Sequence, residues 1–147
     1  MVNSTDSTLD AAPTPAHNTR AILALSLLAG SWIGILFYES TQPSAKFLGL
    51  IPQLDKAAHL GAFCILGLLI CSLSLHLRPK PRIPVFSIPL VAVTLCGVLE
   101  ECVQMFVPGR VASIFDVLAD MFGGILAILL INRIRNMRKV WYFLKQA

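Results

Sequence analysis

Four long apolar segments constrain this chain more than any other feature of its sequence. They cover residues 21–38, 57–77, about 83–107 and about 111–131, and the first contains no charged residue. A helix needs roughly 20 residues to cross the hydrocarbon core of a bilayer, so each segment is long enough. Inside lipid a backbone must satisfy its own hydrogen bonds, which favours helices. The sequence therefore predicts an all-α fold, a bundle of four transmembrane helices.

The composition agrees with a chain whose surface faces lipid rather than water. Of its 147 residues, 56% are hydrophobic and 14% are charged, whereas soluble domains carry about 25% charged residues. The four cysteines lie inside the apolar segments and lack the spacing of a zinc finger. No basic face on a soluble scaffold is visible, which excludes nucleic acid as a partner. We expect membrane lipid to be the main partner.

Two polar stretches flank the apolar segments. Residues 1–20 are rich in Ser, Thr, Asp, Asn and Pro, which predicts a disordered tail. A four-helix membrane domain over residues 21–132 precedes a basic tail over residues 133–147. From Ile131 to Leu144 the apolar residues follow helical steps, which is typical of an amphipathic helix on anionic lipid. The basic residues are explained equally well as a positively charged signal that keeps the end of the fourth segment in the cytoplasm.

The distribution of Lys and Arg predicts the orientation of the four helices. With four spans, both termini and the connection between the second and third segments share one side of the membrane. That side holds nine of the twelve basic residues: one before the first segment, three in that connection and five after the fourth segment. The other side holds Lys46, Lys56 and Arg110. Because loops rich in Lys and Arg stay in the cytoplasm, we expect both termini to be cytoplasmic.

Polar and acidic residues gather at the segment ends that this topology places outside. They are Asp55, Lys56 and His59 at the start of the second segment, Glu100, Glu101 and Gln104 near the end of the third, Arg110 in the next turn, and Asp116 and Asp120 in the fourth. Asp116 and Asp120 are four residues apart and share one helix face, which continues to Gly123 and Ala127. Small residues let another helix approach closely, so we expect these acids to point into the bundle.

These outer residues are candidates for function as well as for structure. Ionisable side chains inside a membrane are costly, at roughly 2.5–3.5 kcal/mol on insertion scales, and mark functional sites. The candidate ligand-binding residues are Asp55, Lys56, His59, Glu101, Gln104, Arg110, Asp116 and Asp120. If the site is catalytic, Glu101 or Asp116 is the candidate general base and His59 is its acid partner. If the cluster is structural, Arg110 bridges Glu101 and Asp116 to lock the turn.

The sequence points to no particular cofactor. No phosphate loop, nucleophile motif or cofactor fingerprint occurs, and we assign no cofactor and no metal. One alternative stays open, because Mg²⁺, Mn²⁺ and Ca²⁺ prefer oxygen-rich sites. Its ligands would be Asp55, His59, Glu101, Asp116 and Asp120.

Several of these spaced polar residues resemble a family signature. Residues 55–59, Asp-Lys-Ala-Ala-His, resemble the D-K-x-x-H start of a helix in VanZ-like proteins. That family's E-x-x-Q…R…D signature and its following glycine pair resemble Glu101, Gln104, Arg110, Asp116 and Gly123-Gly124. The resemblance covers roughly residues 50–130. The chain departs from the pattern at Asp120, where the family usually has asparagine, and thereby adds a potential negative charge.

The resemblance implies a bacterial multi-pass protein of the cytoplasmic membrane. The family is named after a resistance protein for teicoplanin, a glycopeptide that acts on the cell envelope. Together with the polar cluster, this favours a cell-envelope factor that binds a lipid-linked or head-group ligand, which is anionic if Arg110 and Lys56 contact it. A hydrolase or transferase acting on envelope lipids stays open, as does an accessory or structural subunit without a ligand.

Overall fold

The structure consists of long helices. The computed structural model describes residues 19–43, 53–77 and 87–144, the last six of these by their backbone alone. The helices are α1 (Thr19–Ser40), α2 (Leu54–Leu77), α3 (Ser87–Gln104) and α4 (Ile114–Leu144). No strand occurs in these ranges, and each helix contains a stretch long and apolar enough to cross a membrane. The predicted all-α bundle of four membrane-spanning helices is confirmed, whereas the orientation of the termini stays a prediction.

The helix bounds differ from the predicted segments mainly in α4. This helix continues without a break through Leu144, so the boundary placed at residue 132 does not interrupt it. Arg and Lys are good helix formers, and no Gly or Pro follows Gly124. At the other end of the chain α1 begins at Thr19. The remainder of the predicted tail, residues 1–18, lies outside the described residues, so the division into domains stays a prediction.

Helix α2 connects the bundle, since it packs against each of the other three helices. The buried apolar core consists of Leu36, Phe63, Leu66 and Val93. The Trp32 indole nitrogen donates a hydrogen bond to the carbonyl oxygen of Ala62 at 3.0 Å, which joins α1 to α2. Many large apolar side chains point outward instead, as a surface in contact with lipid requires.

Helices α2 and α4 approach each other closely because α4 carries a glycine at the contact. A Cβ atom at Gly123 would collide with the carbonyl oxygen of Leu60. Asp116, Asp120 and Gly123 are all buried, so the prediction that this face of α4 points into the bundle is confirmed. The contact places the first turns of α4 beside the first turns of α2.

Candidate functional site

The polar residues meet at one end of the bundle, where α1 and α3 end and where α2 and α4 begin. Glu100 and Glu101 lie in the last turns of α3 and are 6% and 5% exposed, while Asp120 of α4 is fully buried. With a rise of 1.5 Å per residue, His59 and Asp120 lie about 7–9 Å from the first residues of their helices. His59 and Asp120, the deepest of these polar residues, therefore lie about one and a half helical turns below the end of the bundle.

Two charged pairs join α2 to α4. The Nδ1 atom of His59 lies 3.0 Å from Oδ1 of Asp120, an ion pair when the imidazole is protonated. The ammonium of Lys56 lies 3.2 Å from Oδ1 of Asp116 and donates a hydrogen bond to Oδ2 of Asp55 at 3.0 Å. Because the Asp55 side chain is 46% exposed, it lies at the rim of the cluster rather than inside it.

The neighbours Glu100 and Glu101 point to different helices, since consecutive helical residues are about 100° apart. The Ser40 hydroxyl, at the end of α1, donates to Oε1 of Glu100 at 2.7 Å, and the Gln104 amide donates to the same oxygen at 3.4 Å. The Ser113 N–H, just before α4, donates to Oε2 of Glu101 at 2.6 Å. A carboxylate is favoured at a helix N-terminus, so Glu101 also stabilises the start of α4.

Arg110 does not form the bridge that the structural alternative predicted. Its Nε and one terminal nitrogen donate to the carbonyl oxygens of Gln42 and Glu39, each at 3.0 Å. Within the described chain it forms no ion pair with Glu101 or Asp116. The physical reason is that the last carbonyl groups of a helix lack partners within it and attract a cation. Arg110 therefore fastens the turn between α3 and α4 to the end of α1.

Each of four buried acids keeps one carboxylate oxygen that accepts no hydrogen bond from the described residues. We call the four the acid cluster; the atoms are Oε2 of Glu100, Oε1 of Glu101, Oδ1 of Asp116 and Oδ2 of Asp120. The Asp116 atom lies at an ion-pair distance from Lys56 but without hydrogen-bond geometry. Buried polar atoms are nearly all paired in folded proteins, and unpaired buried charges are costly. The acid cluster therefore has unused capacity to hold a positive or hydrogen-bonding group.

Two sets of side chains within the cluster bring possible metal ligands together, and both contain His59. They are His59 with Glu100 and Asp120, and His59 with Glu101 and Asp116; in each set one ligand atom per residue lies within 4.8 Å of the others. Asp55 belongs to neither set. The possible metal ligands in the structure therefore differ from those considered from the sequence, because Glu100 takes the place of Asp55.

An apolar groove of about 370 Å³ lies between the first turns of α2 and α4. Its lining consists of Gln53, Lys56, Ala57, Leu60, Phe115, Leu118, Ala119 and Phe122. Lys56 is the charged member of this lining, and its ammonium also contacts Asp116 of the acid cluster. The groove and the acid cluster therefore meet at Lys56.

Comparison with known proteins identifies the family. A family model described as VanZ/LLP1 matches residues 7–135. The chain belongs to the VanZ/LLP1 family. The match includes every residue of the acid cluster and of the groove, and the predicted family is confirmed. No curated protein and no solved structure matches the chain.

In this VanZ/LLP1 protein the structure adds two residues, Glu100 and Ser40, to the candidate site residues predicted from the sequence. Glu100 is one of the outer polar residues but not one of the candidate ligand-binding residues predicted from the sequence. The sequence does contain a signal for Glu100, which is the energetic cost of an ionisable side chain in a membrane. Glu100 and Glu101 both lie in an apolar helix, where each carboxylate needs a partner. Ser40 carried no comparable signal, since a single serine at a helix end is ordinary.

Proposed function

We propose that this VanZ/LLP1 protein is a cell-envelope factor of the bacterial cytoplasmic membrane that binds a lipid with an anionic head group, or a ligand linked to such a lipid. The acyl or isoprenoid chain lies in the groove between α2 and α4, and the head group lies against Lys56 beside the acid cluster. The observation that carries the proposal is the continuity of an apolar groove with a charged, partly buried cluster at Lys56.

The orientation of the site follows from the basic residues. Nine of the twelve Lys and Arg residues lie on the side of the termini, and the positive-inside rule assigns that side to the cytoplasm. The starts of α2 and α4 then face outward. The proposed ligand is therefore a lipid of the outer leaflet.

The lining of the groove suits a lipid chain. Phe115 and Phe122 are 64% and 54% exposed, and Leu118 between them is 37% exposed. On a helix these three positions share one face, because they are spaced by three and four residues. The Lys56 side chain is 34% exposed, and an ammonium binds phosphate as a point charge. A lipid chain and its phosphate can thus be held by neighbouring parts of the same groove.

A membrane-embedded hydrolase or transferase acting on the same lipid is the second candidate. It is favoured by the 3.0 Å contact between His59 and Asp120, because a carboxylate that holds an imidazole in place is a common arrangement in general acid–base catalysis. Glu101 supplies a carboxylate oxygen that accepts no hydrogen bond from the described residues, and the Asp116 carboxylate lies 3.2 Å from the ammonium of Lys56. Incubating the purified protein with a polyprenyl phosphate or phosphatidylglycerol and analysing the extracted lipid by mass spectrometry separates the two candidates: a product that Glu101→Gln fails to form indicates an enzyme.

Filling the groove is expected to weaken lipid binding by about 10-fold or more, which corresponds to about 1.4 kcal/mol. The change is Leu118→Trp, and the measurement is retention of phosphatidylglycerol by the purified protein in native mass spectrometry. The matched control is Leu126→Trp, two turns along the same helix, where the leucine is 39% exposed but does not line the groove. Equal retention by both variants would refute the groove as the lipid site, and an accessory subunit without a ligand would then be favoured.

A further inference from the structure

We propose that the acid cluster binds a divalent transition-metal ion, with His59 as the ligand common to both possible ligand sets. The role of this ion in holding a lipid head group rests on the proposed function. The presence of the ion in the acid cluster does not. Manganese and zinc fit the donors, since one imidazole accompanies several carboxylates.

The first reason is charge. When ionised, the four acids carry four negative charges. A His59 side chain that binds a metal ion is neutral, so Lys56 supplies the one positive charge beside them, and it shares that charge with the exposed Asp55. A divalent ion would offset two of the remaining three negative charges.

The second reason is the unpaired carboxylate oxygen that Glu100, Glu101 and Asp120 each present. These residues are 6%, 5% and 0% exposed, so water does not supply these partners freely. A buried polar atom of this kind needs an explanation, and an ion is one of the few that fit. Three residues on two helices share the deficit, and their unpaired atoms are distinct from those bound to Ser40 and Ser113.

The third reason is spacing. Zinc binds imidazole nitrogen and carboxylate oxygen atoms at about 2.0–2.2 Å, so two ligand atoms of one ion lie at most about 4.4 Å apart. Each of the two ligand sets keeps its three atoms within 4.8 Å of one another. The atoms of each set are therefore close to the separation that one ion requires.

An ion would also explain how an anionic head group approaches so many acids. Lys56 is already engaged by Asp55 and Asp116, so little of its charge is left to offset the acid cluster. A divalent ion held by the carboxylates can accept a phosphate oxygen as a further ligand. The lipid phosphate would then contact Lys56 and the ion together.

The test is metal binding by the full-length protein. The protein is purified in detergent without chelator and analysed for Mn and Zn by mass spectrometry; it is then stripped with a chelator and titrated with Mn²⁺ under electron paramagnetic resonance. We expect retained metal, saturable Mn²⁺ binding and a ¹⁴N coupling from the imidazole of His59 that disappears in His59→Gln. Folded, stripped wild-type protein that binds neither Mn²⁺ nor Zn²⁺ overturns the inference, whatever the variants do.

A matched pair of variants locates the ion. Glu101→Gln is expected to weaken Mn²⁺ binding at least about 10-fold, since even residues around a metal site have effects of this size. Glu39→Gln removes an exposed glutamate at the same end of the bundle and should bind Mn²⁺ like the wild type. Equal effects of the two changes, with both proteins folded by circular dichroism, would exclude the ligand set that contains Glu101.

The metal and lipid proposals fail independently. If Mn²⁺ binds but phosphatidylglycerol retention is unaffected by Leu118→Trp, the metal site stands and the lipid function is wrong. If the groove binds lipid but stripped protein takes up no metal, the lipid function stands and the metal site is wrong.

Discussion

Replacing Gly123 with alanine is expected to remove most of the folded protein from the membrane, whereas replacing Gly61 with alanine is expected to leave it intact. A Cβ atom at Gly123 would collide with the carbonyl oxygen of Leu60 and lie 2.8 Å from the backbone nitrogen of Cys64. Both are main-chain atoms of α2, so the helices must move apart. At Gly61 no atom lies within 4 Å of the added Cβ.

The expected cost at Gly123 is about 1–3 kcal/mol or more, because overpacking that shifts a backbone is at the costly end of such substitutions. Fluorescence-detected size-exclusion chromatography of tagged protein measures the folded fraction, and a melting curve in the same detergent ranks the two variants. If Gly123→Ala melts at the same temperature as Gly61→Ala, α2 and α4 do not pack as described. The placement of His59 beside Asp120 would then lose its support.

Replacing Asp120 with leucine is expected to lower the free energy of unfolding by about 1–3 kcal/mol, the usual cost of leaving a buried hydrogen-bonding group without its partner. His59 would keep its position without the oxygen that lies 3.0 Å from its Nδ1.

The control is Asp120→Asn, which is expected to change stability by no more than about 1 kcal/mol. Its amide oxygen can still accept the hydrogen bond from His59, and the VanZ-like pattern usually has asparagine at this position. Unfolding in sodium dodecyl sulfate, followed by tryptophan fluorescence, compares the three proteins. Should leucine be tolerated as well as asparagine, the contact between His59 and Asp120 contributes nothing to the fold.

The sequence was sufficient to predict the helices and the inward face of α4. Segment length and apolar composition determine which parts can cross a membrane, and the four-residue spacing of Asp116 and Asp120 with a glycine after them determines which face is buried. These are local properties, and each can be seen within a single helix.

Contacts between elements far apart in sequence could not be predicted in the same way. In the structural alternative Arg110 bridges Glu101 and Asp116, but its donors reach the carbonyl groups of Gln42 and Glu39, about 70 residues earlier. Every residue has a main-chain carbonyl group, so the sequence does not show which of them can accept a hydrogen bond from Arg110. That depends on where α1 ends. The groove could not be predicted either, because its lining combines residues of α2 with the lipid-facing side of α4.

Photo-labelling of the wild-type protein in bilayers tests most directly whether the groove and the acid cluster form a site for an anionic lipid. The protein is reconstituted in phosphatidylcholine with a trace of phosphatidylglycerol that carries a photoactivatable group on its acyl chain, and labelled peptides are mapped by mass spectrometry. We predict labelling concentrated at Leu60, Phe115 and Phe122, which a matched phosphatidylcholine probe does not reproduce. Labelling that is equal for the two probes, or spread evenly over the outer faces of α1 and α3, would contradict the proposal.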